Sequence, residues 1–294
     1  MEAQLSGPGL YSTPPLQNSN TPKIKTQKQI DRRGNNTLNP LSVVIITRNE
    51  ERNIRACLDS VKWADEIVVV DSGSSDGTVS ICREYGCKVI EAEWEGFGAN
   101  KSAGVQAAKN DWILSLDADE RVTPELAQRI KEILASDHPA DGYKIRFRTL
   151  YLGQQIRFSD WQNEYHLRLF NRQHGSFNDA ILHESLNLNG RTEKIKAPII
   201  HNSFPTLAVH LQKIARYGQL AAEQKSAAGK KSGVCGAVLR GLFAFIRIYI
   251  LKAGFLDGRM GFVLAINNGF AAYMKYLMLW EKQLNPNAER KKND

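Results

Sequence analysis

No glycine loop built to cradle phosphates occurs in this chain. The pattern GxxxxGK[ST] is missing, and no GxGxxG follows the first strand-like run, 41–47. Those absences exclude the two common backbone grips on a nucleotide's phosphates, so any nucleotide must be held another way. Cysteine is scarce. Cys57, Cys82, Cys87 and Cys235 show no Cys-x-x-Cys spacing, which argues against a zinc knuckle or a disulfide framework and for reduced thiols in a cytosolic protein. Residues 1–39 lack an apolar run and are rich in Pro, Ser, Asn, Thr and Gln. They are expected to form a disordered polar tail with no signal peptide. No later segment reaches the ~20 uncharged apolar residues of a membrane span.

The charge is unevenly spread. Net charge is +8, yet residues 41–206 carry twenty Lys/Arg against twenty-four acids, and residues 207–283 carry eleven against three. The positive segment is also the one richest in large apolar residues, which suits an anionic membrane surface. Nucleic acid is not expected as a partner, because the basic residues interrupt apolar runs and do not line a polar face. Residues 234–252 and 257–283 read as two long apolar helices, with Arg240 and Arg247 two turns apart on one face. They are interfacial amphipathic helices, or a helical cap packed on the domain or on a second subunit.

Between residues 41 and 136 short β-branched runs alternate with helical spacing. Strands are expected at 41–47, 66–71, 88–92 and 112–116, and helices at 50–61, 78–85, 100–109 and from Thr123 to about Ser136. Thr123 caps the last of these, followed by Pro124 and an acid in the first turn. Such alternation predicts an α/β domain with a mostly parallel sheet covered on both faces. Further strands are expected at 143–149, 166–170 and 195–200. The resulting division is a tail (1–39), a catalytic domain (40–206), a basic apolar helical segment (207–284) and a polar tail (285–294).

Ligands of such sheets bind at the carboxyl ends of the strands. Three of these ends carry polar clusters: Thr47-Arg48-Asn49-Glu50, Asp71 through Gly77, and Asp117-Ala118-Asp119-Glu120. Acids spaced i, i+2 at a strand end suit a divalent cation held against a diphosphate, since hard cations prefer oxygen ligands and leave positions for phosphate. An ordinary solvated turn would carry the same two residues, so the weight lies in the three clusters converging on one rim.

The segments Val43-Val44-Ile45-Ile46-Thr47-Arg48-Asn49-Glu50, Val68-Val69-Val70-Asp71-Ser72-Gly73-Ser74-Ser75-Asp76-Gly77-Thr78 and Leu116-Asp117-Ala118-Asp119-Glu120, in that order, resemble the three signatures of family 2 glycosyltransferases with the GT-A fold. Arg48 through Asn53, Arg168 through Arg172, and Leu256-Asp257-Gly258 before an apolar helix are most similar to the WaaE/KdtX-like lipopolysaccharide core β-1,4-glucosyltransferases. The resemblance implies a three-layer GT-A domain followed by C-terminal amphipathic helices. It also implies inverting transfer of a hexose, glucose from UDP-glucose, to an inner-core heptose at the inner face of the cell membrane. The acceptor would be a lipid-linked saccharide; a polyprenyl-linked or protein acceptor is the alternative, and a nucleotide-sugar-binding protein without turnover is the second. By position, Thr47, Glu50, Asp71, Lys101 and Asp117 would contact the donor nucleotide, while Asp119 and His201 would ligate Mg2+ or Mn2+. Glu184 would be the general base, with Asp179 second. Arg168 and Arg172 would hold acceptor phosphates or pair with Glu164 or Asp160, and Trp161 would stack on a sugar or sit in the core. Arg48 stands where many relatives carry an aromatic residue, and its planar guanidinium can stack on a base.

Overall fold

The computed structural model describes residues 29–30, 36–37, 39–161, 164–178 and 186–284. Alternating strands and helices open the domain: β1 (Leu41–Thr47), α1 (Glu51–Val61), β2 (Glu66–Asp71), α2 (Thr78–Glu84), β3 (Lys88–Glu91), α3 (Phe97–Ala107), β4 (Trp112–Asp117), β5 (Glu120–Val122) and α4 (Pro124–Leu134). Three longer strands follow, β6 (Gly142–Tyr151), β7 (Tyr165–Asn171) and β8 (Thr192–Phe204). They join one sheet in the order β3-β2-β1-β4-β7-β6-β8-β5, with Gln154–Gln155 beside β6.

The sheet is less parallel than its sequence suggests. The pairs β2/β3, β1/β2 and β1/β4 are parallel. The pairs β4/β7, β6/β7 and β5/β8 are antiparallel, and β6/β8 is parallel again. A parallel neighbour needs a long crossover, usually a helix. After α4 the next described helix begins only at Leu207, so β6 and β7 pair antiparallel.

Period-two alternation in β1 sends Val43 and Ile45 to one face and Val44 to the other. On the first face they pack with Ile54 and Leu58 of α1 and Leu126 and Ile130 of α4, all fully buried. On the second, Val44 meets Val68, Ile113 and Phe170. Helix α3 lies close on this face: a Cβ on Gly104 would fall 2.4 Å from Val44 Cγ1. Thr123 caps α4 by accepting from the Leu126 N–H, with Pro124 at the first helical position.

The sheet ends at Phe204, and the chain becomes helical: α5 (Leu207–Ala227), α6 (Val234–Ile246) running into a π turn (Arg247–Leu251), a 3-10 turn (Gly254–Asp257), and α7 (Gly258–Leu284). Helices α6 and α7 touch backbone to backbone, since a Cβ on Gly241 would stand 3.0 Å from the Gly269 carbonyl oxygen. The helices are tied to the domain by Asp257. Its carboxylate accepts from the backbone N–H of Arg157 and Phe158, at 2.9 and 3.0 Å, and from the Ser159 hydroxyl.

The two arginines that break up the apolar run in sequence both find partners on neighbouring elements while staying exposed. The Arg240 guanidinium lies 4.3 Å from the Tyr276 ring centre, and Arg247 forms an ion pair with Asp160. The outer face is left to Leu239, Leu242, Phe243, Ile250 and Leu251, all exposed. By length and composition, Val234–Leu251 is the one described segment apolar enough to cross a bilayer. This departs from the expectation that no such segment exists.

Candidate active site

Strand register brings the three polar clusters together. Thr47 is the partner of Asp71 across β1/β2, and Ile46 is the partner of Asp117 across β1/β4. The loops after β1 and β2 are stitched by side chains. Asn49, held at φ +56°, accepts from the Ser75 N–H, and its own N–H donates to the Ser74 hydroxyl. Asp71 is buried and accepts from the N–H groups of Gly73 and Ser74 at 3.1 and 2.9 Å.

Two cavities open on this rim. One, of about 420 Å³, is lined by Thr47, Glu50, Asp117, Asp119 and His201. The other, of about 730 Å³, is lined by Asp71 and the Ser72-Gly73-Ser74 turn. Arg48 and Trp94 line both, so the two adjoin. The hydroxyl oxygen of Thr47 is buried at its wall with no hydrogen-bond partner among the described residues.

The two carboxylates of Asp117-Ala118-Asp119 have different surroundings. Asp117 is enclosed by cations, with Lys101 Nζ at 3.1 Å and Arg168 at 3.1 Å. Burial opposes its charge, but Lys101 and then Arg168 outweigh burial and hold the carboxyl below the ordinary range. Asp119 faces His201 instead, Oδ2 to Nε2 at 3.4 Å. Burial disfavours the His201 imidazolium, while the hydrogen bond and charge of Asp119, then the charges of Glu120 and Asp117, raise its pKa overall. Glu50 is pushed up by burial, with the Asn53 hydrogen bond working against it and the Asp119 charge adding to it.

An oxygen and an imidazole nitrogen on one cleft wall fit a divalent cation. No cluster of three or more His, Cys, Asp or Glu side chains suited to a metal occurs among the described residues. A two-ligand set is what a cation needs when substrate phosphates and water complete its shell.

Several expected site residues take other positions. Lys101 has no exposed side-chain surface, so its ammonium serves Asp117 and does not reach the cleft. Arg168 is drawn into the same network, bonded to Asp117 and Glu120, and its charge also acts on Glu164. The antiparallel register of β7 on β4 puts Arg172 at the far end of the sheet, beside Asp111 and the carbonyl of Ala108. Trp161 stacks on Phe204 within an apolar cluster. Glu184 and Asp179 lie outside the described residues.

Three residues of this site escaped the sequence reading. Glu120 looked like one more acid after the motif, yet it is fully buried, accepts from the Asp117 N–H and binds Arg168. Burial and the neighbouring carboxylates push its pKa up, with Arg168 working against them. Lys213 and Arg216, on α5, also line the smaller cavity. Lys213 lies 5.1 Å from the Phe204 ring centre and Arg216 5.8 Å from that of Trp94. Their signal was a Lys-x-x-Arg spacing on a helix whose docking the sequence does not disclose.

The family profile of glycosyl transferase family 2 matches residues 42–190, half of the chain. The chain belongs to this family. An uncharacterized glycosyltransferase of Rickettsia typhi is 31% identical over 257 residues, spanning 83% of this chain and 88% of that one. The lipopolysaccharide core biosynthesis glycosyltransferase LpsC of Rhizobium meliloti is 25% identical over 250 residues, spanning 83% and 93%. Among solved structures, S. aureus TarS 1-349 in complex with UDP aligns over 84% of this chain and 92% of that one, at 17% identity and a TM-score of 0.43. This glycosyltransferase has the α/β GT-A architecture expected of it, with the C-terminal helices added.

Proposed function

We propose that this glycosyltransferase moves glucose, with inversion, from UDP-glucose to a heptose of the lipopolysaccharide inner core. The observation that carries the donor half is the facing pair Asp119 and His201 on a cleft that adjoins the cavity of the Asp71 turn. The acceptor half rests on the likeness to LpsC over most of both chains.

The nucleoside is assigned to the junction of the two cavities at Arg48, with Asp71 beside the base or ribose on the larger side, Arg48 stacking over the base, and Thr47 and Glu50 flanking it from the smaller side. Asp119 and His201 are the residues that would hold Mg2+ or Mn2+ against the diphosphate. When bound, such a cation supplies charge stabilisation to the leaving diphosphate. Lys213 and Arg216, which line the same cavity, add fixed positive charge for the same developing anion. Asp117, pinned by Lys101 and Arg168, is oriented toward the ribose. Glu184 is assigned as the base. It takes the proton of the acceptor hydroxyl as that oxygen bonds to the anomeric carbon, and the bond to the diphosphate oxygen breaks with its electron pair leaving on UDP.

The protein is assigned to the cytoplasmic face of the membrane, with the outer face of α6 lying in the interface. The Arg247–Asp160 ion pair and the Asp257 contacts fasten the C-terminal end of this segment to the polar catalytic domain, and α7 packs against it at Gly241 and Gly269. That attachment favours a helix lying flat over one that crosses.

A donor screen with purified protein and Mg2+, read by release of nucleoside diphosphate, tests the donor. UDP-glucose is expected to give the fastest release, and a faster GDP-sugar would replace it. Transfer to purified inner-core oligosaccharide tests the acceptor. Transfer only to polyprenyl-linked or protein acceptors would favour the alternative reading.

A further inference from the structure

A third cavity, of about 610 Å³, lies between α5, the α6–π segment and α7. It shares Phe97, Phe204, Lys213 and Tyr217 with the cleft that holds Asp119 and His201. The three cavities therefore form a series: the Asp71 turn, the Asp119–His201 cleft, and this helical chamber.

Its walls have a distinct chemistry. Small side chains, Ala244, Ala271 and Ala272 among them, leave the space open, and aromatic rings stand at the junction with the cleft. Lys213, Arg247 and Lys275 line it, and no carboxylate lines it among the described residues. Arg247 is paired with Asp160, which also takes Lys252 at 2.9 Å, so the surroundings keep a net positive charge. Sugar rings present apolar faces that pack on aromatics, and fixed cations at the rear select a charged substituent. The junction residues also line the cavity that holds Asp119.

We propose that this chamber is the acceptor site, and that it takes a saccharide carrying an anionic group, phosphate or carboxylate, with Lys275 facing that group. The inference deepens the proposed function and rests on its assignment of the donor to the neighbouring cleft.

Binding to the full chain in the presence of Mn2+ and UDP tests it, with mannose 6-phosphate and mannose as probes and saturation-transfer NMR as the readout. Mannose 6-phosphate is expected to bind at least tenfold more tightly than mannose. Lys275→Glu should remove that preference. Ala272→Trp, which fills the chamber, should abolish binding of both sugars, and UDP affinity should stay within twofold in both variants. Equal binding of the two sugars, or no binding of mannose 6-phosphate, would overturn the proposal. So would unchanged sugar affinity in Lys275→Glu, a partly exposed position where folding is not at risk. Loss of UDP binding by the unaltered protein would instead sink the donor assignment and leave the sugar measurements to stand alone.

Discussion

Lys101, without exposed side-chain surface, holds its ammonium 3.1 Å from Asp117 Oδ1. The pair divides labour within the Asp117-Ala118-Asp119 motif: both carboxylates line the cleft, but Asp117 is neutralised by Lys101 and Arg168 while Asp119 faces His201. Removing one partner of a buried pair costs about 3 kcal/mol or more when the charge left behind is uncompensated; Asp117 is part-exposed and keeps Arg168 at 3.1 Å, so the loss is smaller. Lys101→Met is therefore expected to lower unfolding free energy by about 1–3 kcal/mol in urea titration, with Asp117→Asn in the same chain recovering part of it. A loss below about 0.5 kcal/mol would show the pair to be energetically idle.

Asp257 fastens the C-terminal helices through three hydrogen bonds to residues 157–159. Hydrogen bonds to a charged acceptor contribute roughly 1.5–3 kcal/mol each when intact. Asp257→Ala should loosen the turn at residues 254–258, so limited proteolysis there should be faster than in the unaltered protein while the domain core stays resistant. An unchanged cleavage pattern would remove the latch from the account.

His210 should contribute a loss of stability in mild acid, set against the opposite contributions of Glu120 and His201, whose pKa values are raised. Burial, then the charge of Lys213, lowers its pKa to about 4 from the ordinary 6.5. The Tyr151 hydroxyl oxygen accepts from Asn267 and lies 3.0 Å from His210 Nδ1, an arrangement in which the hydroxyl donates to a neutral imidazole. Between those two pKa values the unfolded chain takes up a proton that the folded chain refuses, so stability drops as pH falls from about 6.5 toward 4 and levels off above. Relative to the unaltered protein, His210→Gln should gain Tm as pH falls across this window, because it lacks the His210 component. Parallel profiles for the two proteins would contradict the assignment.

The outer face of α6 predicts membrane binding that is chiefly apolar. Burying a Leu or Phe side chain contributes about 1.5–3 kcal/mol, so each residue inserted is worth roughly tenfold or more in partitioning. Leu242→Glu with Phe243→Glu should lower co-sedimentation with phosphatidylglycerol-containing vesicles at least a hundredfold. Retained binding would move the contact to another part of the chain.

Much of this was legible in the residues themselves. The β-branched runs and helical spacings between Leu41 and Leu134 produce the observed elements within a few residues, because each run is short, strongly patterned and closed by turn chemistry. Convergence of Thr47, Asp71 and Asp117 follows from parallel register alone. What sequence reasoning missed depends on docking between distant segments. The burial of Arg168 against Glu120 requires the antiparallel placement of β7 on β4. Lys213 and Arg216 reach the cleft only because α5 packs beside β8. Arg240 and Arg247 look like interruptions of an apolar run until Tyr276 and Asp160 are seen to receive them.

The central claim is that Asp119 and His201 grip a cation and, with it, the diphosphate of a nucleotide sugar. Isothermal titration of UDP into the protein, with Mn2+ and then with EDTA, tests it most directly when repeated with Asp119→Ala. The account predicts UDP binding that is at least tenfold tighter with Mn2+ and an affinity in Asp119→Ala that no longer responds to the metal. Equal affinity with and without Mn2+ in the unaltered protein, or an undiminished Mn2+ response in Asp119→Ala, would contradict it.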